Sequence, residues 1–137
     1  GRPSGRPFSL EAMMAYNSVH NLDAMHSTAY SPSVGTTPVV AYVDTPVKGR
    51  LISFSGILRG AITTADGTIT VTNVTTGVTI GTFTVTQSGS AAGLRFAGTP
   101  TTFASSLVSQ NDVISITPSA ASGASIGMDF KLVFRTF

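Results

Sequence analysis

The chain contains no cysteine, which excludes a disulfide framework and any thiolate metal site and leaves its redox compartment open. It also lacks tryptophan, so any aromatic platform must come from its three tyrosines and eight phenylalanines. Charge is scarce. Eight Lys/Arg and six Asp/Glu make up 10% of the 137 residues, against roughly 25% in an ordinary soluble domain. A surface so poor in charge either relies on hydroxyls for solubility or faces partners, and self-association is the simplest explanation. The apolar runs fall well short of the ~18 residues of a membrane helix, and the N-terminus lacks the positive-then-apolar layout of a signal peptide. The expectation is a soluble chain made in a cytoplasm, with no membrane partner.

What the chain has in quantity is 20 threonines, 17 serines and 14 glycines, a composition that favours strands and turns over long surface helices. Its length suits one domain with a usable core. The net charge of +2 gives the isoelectric point near 9.4 little meaning for partners. The basic residues Arg2, Arg6, Lys48, Arg50, Arg59, Arg95, Lys131 and Arg135 are scattered along the chain without the run of a nucleic-acid footprint, and no nucleic-acid partner is expected.

Composition changes near Thr36–Pro38, dividing the chain into an arm, residues 1–36, and a β domain, residues 37–137. The arm holds three of the four methionines and both histidines and shows no convincing alternation. Ser9 can cap a short helix over Leu10–Tyr16, with Phe8 and Met13 as a hydrophobic staple. Alone, so short a helix is marginal. The apolar content of Met13, Met14, Tyr16, Met25 and Tyr30 predicts that the arm docks, on its own domain, on a sister subunit or in a larger assembly. Arg2 and Arg6 suit an acidic partner surface.

From Val39 onward the pattern is that of strands. Val39–Val43, Lys48–Arg59 and the stretch after the Asp66-Gly67 turn alternate, with Thr68, Thr70 and Thr72 on one face and Ile69, Val71 and Asn73 on the other. Gly56 is a candidate for a bulge or a sharp coil. A turn at Thr75–Gly77 leads into Val78–Val85, whose register is ambiguous around Gly81. Gln87–Gly93 and Gly98–Thr102 read as loops around a short strand, Leu94–Phe96. Phe103, Leu107 and Val108 are apolar anchors in a polar connection ending at Asn111-Asp112. Asp112–Thr117 is a strand stopped by Pro118, and the last strand sets Met128, Phe130, Leu132 and Phe134 against Asp129, Lys131, Val133 and Arg135. The fold class expected is all-β: an antiparallel, jelly-roll-like β-sandwich of about eight strands, preceded by an extended N-terminal arm with a short helix.

Enzyme chemistry is poorly supplied. His20 and His26 belong to no HExxH motif, and adding Glu11 or Asp23 makes no recognised ligand set, so neither metal nor cofactor is expected. There is no GxSxG elbow, phosphate loop or dinucleotide fingerprint. The carboxylates Glu11, Asp23, Asp44, Asp66, Asp112 and Asp129 offer no evident catalytic pair; Asp66 suits its turn and Asp112 a cap. Tyr42, Phe54, Phe83, Phe96 and Phe103 are candidate sugar platforms, although most phenylalanines belong in a core. Asn73-Val74-Thr75 matches a glycosylation acceptor.

The β region, from about residue 38 to 137, resembles the small jelly-roll decoration, or cement, proteins of tailed-bacteriophage heads. The resemblance lies in the order of VVAYVDTPVKGRLISFSGILRGAITTADGTITVTNVTTG, GTFTVTQSGSAAG and NDVISITPSAASGASIGMDFKLVF. Asn111 stands where better-known members often carry glycine, and it too suits a turn. The resemblance implies a structural virion protein, a homotrimer on the outer surface of the capsid, bound to the major capsid protein and stabilising the shell without catalysis. Arms would reach neighbouring capsid subunits, with Arg2, Arg6, Phe8, Met13, Met14 and Tyr16 as the capsid contacts. The alternative is a head-fibre or tail-associated domain that binds a receptor or glycan through Gln87–Gly93, Gly98–Thr102 or Ser119–Ser125. A third class is a pilus or surface-layer subunit joined by donor-strand or edge pairing.

Overall fold

The structure is a computed structural model that describes residues 24–120, 123 and 125–136. Among these the strands are β1 (Ala24–Ser31), β2 (Ala41–Asp44), β3 (Gly49–Leu58), β4 (Gly67–Asn73), β5 (Val78–Val85), β6 (Arg95–Gly98), β7 (Leu107–Val108), β8 (Val113–Pro118) and β9 (Met128–Thr136). They form two sheets, ordered β1-β9-β3-β6 with β7 beside β3, and β2-β8-β4-β5. Every pairing is antiparallel. Only the β4–β5 hairpin keeps consecutive strands in one sheet, apart from β6 and β7 on either end of β3; the other connections cross between layers. The result is an antiparallel, jelly-roll-like sandwich.

Period-two alternation explains both layers. Along β9, Met128, Phe130, Leu132 and Phe134 are buried while the residues between them are not. Opposite them, Leu51, Phe54 and Leu58 of β3 turn inward. The second sheet contributes Ile69 and Val71 from β4, Ile80, Phe83 and Val85 from β5, and Ile114 and Ile116 from β8. The Phe54 and Phe83 rings meet across the layers, 5.9 Å between centroids.

Two irregularities adjust this pattern. In β3 the register with β9 shifts between Leu51 and Ser53, so the extra residue is Ile52 rather than the expected Gly56. Gly56 has another use: a Cβ there would lie 2.5 Å from the Met128 Cε and 3.0 Å from the Phe130 ring. In β5, Val71 pairs with Gly81 but Thr72 with Thr79, leaving Ile80 as the extra residue. Ile80 and Phe83 thus both face the core, which settles the ambiguity around Gly81. The turn before β5 uses Gly77 at φ +78°, its N–H donating to the Asn73 carbonyl at 2.8 Å.

The helix expected at Leu10–Tyr16 lies outside the described residues. Ala24–Ser31, assigned from sequence to the arm, is a strand of the sandwich, paired residue for residue with β9 from Ala24↔Arg135 to Ser31↔Met128. Its Ser31 hydroxyl, itself buried, donates to the Val39 carbonyl at 2.6 Å and fastens the segment that follows.

Truncating the inner face of β9 should be costly. Phe134→Ala should lower the unfolding free energy by about 3–5 kcal/mol, and Leu132→Ala by about 2–5 kcal/mol, through lost burial and an unfilled cavity. Urea unfolding followed by circular dichroism checks this; a loss below about 1 kcal/mol at both positions would contradict the assigned core.

Candidate docking face

The β3–β9 ladder that aligns the core also aligns the opposite, outward face. Pairing places Tyr30, Asp129, Ile57 and Arg95 in one row across β1, β9, β3 and β6. The next row is Thr28, Lys131, Ser55 and Ala97. At the far end, Ala24, Arg135, Arg50 and Leu107 follow one another. Residues Thr28, Tyr30, Ser55, Ile57, Arg95 and Lys131 line an open groove of about 560 Å³. Ile57 is 43% exposed and forms an apolar floor between the two cations.

The polar groups of the groove are held in place. Arg59 grips Asp129 in a two-point ion pair, Nε to Oδ2 at 2.9 Å and Nη2 to Oδ1 at 3.1 Å, the one ion pair among the described residues. Its guanidinium lies 4.6 Å from the centre of the Tyr30 ring, a cation–π contact. The Asp129 carboxylate, by hydrogen bond first and by charge second, raises the Arg59 pKa above its ordinary value. Arg59 therefore keeps its charge at every physiological pH. Arg95 donates from Nη2 to the Ser55 hydroxyl at 3.3 Å, and Arg50 lies 5.3 Å over the Phe103 ring.

The other sheet presents a different surface. Its outer face carries the cross-strand pairs Thr68–Thr84, Thr70–Thr82 and Thr72–Thr79, and it is uncharged over β4 and β5. Asp112 is buried beside it, where its Oδ2 accepts from the Ser109 N–H at 2.9 Å and from Asn73 Nδ2 at 2.9 Å. This is the capping role expected of Asp112. Asn73, 1% exposed, is a structural residue and not an accessible glycosylation acceptor.

The expected capsid contacts Arg2, Arg6, Phe8, Met13, Met14 and Tyr16 lie outside the described residues. Of the candidate sugar platforms, Phe54 and Phe83 are core, while Tyr42, in β2 of one sheet, and Phe103, in the β6–β7 connection against Arg50 of the other, are 63% and 60% exposed. The structure does not bring them together. Within the loop Gln87–Gly93, Ser90 is committed internally, its hydroxyl accepting from the Ile62 N–H and donating to the Ile62 carbonyl. Among the described residues no group of three His, Cys, Asp or Glu is placed to hold a metal ion, and no helix is long and apolar enough to cross a membrane. Among the described residues the one carboxylate on the outward face, Asp129, is tied to Arg59.

Sequence inspection missed the gathering of cations. The alternation of β9 does show Lys131 and Arg135 on its wet face, but Arg50, Arg59 and Arg95 join them only through pairings between segments far apart in the chain.

The class these features define is an antiparallel, jelly-roll-like β-sandwich. No protein-family model matches the chain, and no curated protein matches it. Among solved structures, a chain of the cyanophage Pam1 capsid asymmetric unit superposes with a TM-score of 0.52 at 13% identity, over 86% of this chain and 89% of that one. A chain of the acid-stable capsid of Helicobacter pylori bacteriophage KHP30 gives a TM-score of 0.45 at 13% identity, over 82% and 87%. CsCBM6-3 of Clostridium stercorarium, in complex with cellobiose, gives 0.44 at 15% identity, over 71% of this chain and 66%, a little under two thirds, of that one. At these identities the likeness is one of fold.

The two polar clusters should respond differently to substitution. Asn73→Ala removes a donor from the buried Asp112 carboxylate and should cost about 2–3 kcal/mol. Asp129→Asn, at an exposed pair, should leave the urea midpoint unchanged within error. A midpoint that falls as far for Asp129→Asn as for Asn73→Ala would contradict this assignment.

Proposed function

We propose that the protein is a structural component of a phage virion that binds the outer surface of the capsid as a homotrimer and stabilises the shell without catalysis. The observation that carries this reading is where the preceding segment joins the sandwich. Residues 1–23 lead into Ala24, which opens the strand β1 at the edge of its sheet and pairs with Arg135. A segment attached at an edge can engage a neighbour while the core stays intact. That segment contains Arg2, Arg6, Phe8, Met13, Met14 and Tyr16, a mixture of cations and adaptable apolar side chains suited to a protein surface.

Three sandwiches around a threefold axis would each add an arm to the shell, so that no subunit could leave without breaking several contacts at once. The added interface raises the work needed to open the shell. The phrase-order resemblance to decoration proteins and the likeness in fold to a capsid chain of cyanophage Pam1 agree with this role. The uncharged threonine face of the second sheet suits close packing or exposure on a crowded particle surface, since it carries no like charges to repel neighbours.

Because Ala24–Ser31 is part of the sheet, the informative truncation removes residues 1–23. The shortened chain should remain folded, with an unfolding midpoint close to that of the parent, and should bind purified shells at least tenfold more weakly. Undiminished shell binding by the folded truncation would contradict the role of the arm.

A further inference from the structure

We propose that the outward face of the β1-β9-β3-β6 sheet is a second docking element, which receives an acidic peptide segment of the shell protein carrying an apolar side chain between its carboxylates. This rests on the shell-binding role above and extends it from the arm to the folded domain.

Charge complementarity selects the partner. Arg50, Arg59, Arg95, Lys131 and Arg135 all project from this one face, where Asp129 is the only carboxylate among the described residues. The remaining described carboxylates are elsewhere: Asp44 in β2, Asp66 before β4 and Asp112 before β8. A chain with a net charge of only +2 therefore concentrates its positive charge on one side.

Shape and chemistry narrow the class further. The groove crosses four strands, from Tyr30 to Arg95, a distance of about 14 Å at ~4.8 Å per strand. About four extended residues at ~3.4 Å each span it. Ile57 lies in the floor of this path, where a purely anionic ligand has no use for it and an aliphatic side chain does. Arg95 stands beside Ile57 in the same row and Lys131 diagonally from it in the next, placed for carboxylates on either side of that side chain. Nucleic acid fits less well. Of the two aromatic residues lining the groove, Phe130 is buried in the core, and Tyr30 has Arg59 against its ring and Gly127 close to its edge, so neither is well placed to stack a base.

The test uses the full chain and a fluorescein-labelled pentapeptide, Glu-Glu-Leu-Glu-Glu, followed by fluorescence anisotropy at low salt. The parent should bind it. The double variant Lys131→Gln/Arg95→Gln should bind at least tenfold more weakly. Thr70→Glu/Thr82→Glu, which changes the net charge by the same amount on the opposite sheet, should stay within twofold of the parent. Ile57→Thr should lose at least threefold for this peptide and little for Glu-Glu-Ser-Glu-Glu. Equal losses in the two charge-matched double variants would overturn the proposal, as would the absence of binding at millimolar peptide. Displacement of the probe by oligothymidylate or polygalacturonate at tenfold lower concentration would overturn it in favour of a polyanion site. No shell is needed, so failure here is distinct from failure of the virion role, which the arm truncation tests.

Discussion

The pairing of β3 with β9 is the constraint on which the rest of the molecule depends. These strands lie side by side at the centre of their sheet, although β4 to β8 all lie between Gly49–Leu58 and Met128–Thr136 in the chain. Their inner faces supply Leu51, Phe54, Leu58, Met128, Phe130, Leu132 and Phe134 to the core. Gly56 lets the two strands fit, because any side chain there would press on Met128 and Phe130. The same ladder, read from its other side, sets Arg50 beside Arg135 and Ser55 beside Lys131. One long-range pairing thus builds the interior and the candidate docking face together. Its loop-closure entropy must be met before its contacts form, which predisposes such folds to slow folding.

The parts of this fold legible in the sequence are those where burial is one-sided and complete. β9 and β4 alternate cleanly because each has one face against the core, and their inner residues were identifiable from period two alone. β1 was not, for a physical reason. It is an edge strand whose inner face consists of half-buried Met25, Ser27 and Ala29 and buried Ser31, so no apolar stripe marks it. The register of β5 was ambiguous because the Ile80 bulge breaks the strict period and turns Ile80, Gly81 and Phe83 inward together. Ile52, not Gly56, takes the bulge in β3; glycine marks close approach as readily as irregular pairing.

The candidate face was less legible than the core for the same reason that contact order is high. Five cations spread from Arg50 to Arg135 carry no local signature, and only the topology collects them. The buried polar residues were easier. Asp112 and Asn73 satisfy one another and nearby backbone groups, as a turn-closing carboxylate and a buried amide must. The two sheets consequently present opposite characters to the outside, one lined with threonine hydroxyls and the other with guanidinium and ammonium groups around an apolar groove. In the proposed role the cationic side and the arm that enters beside Arg135 would face the shell, and the hydroxyl side would face outward or toward sister subunits.

If this chain coats a shell as proposed, its copy number must follow the symmetry of that shell. Quantitative mass spectrometry of purified particles, with the major shell protein as internal reference, should find the chain on the order of hundreds of copies per particle in a simple ratio to the shell subunit, as surface symmetry requires. About a dozen copies, or a few dozen, would contradict the shell-coating role and place the protein in a fibre or tail instead.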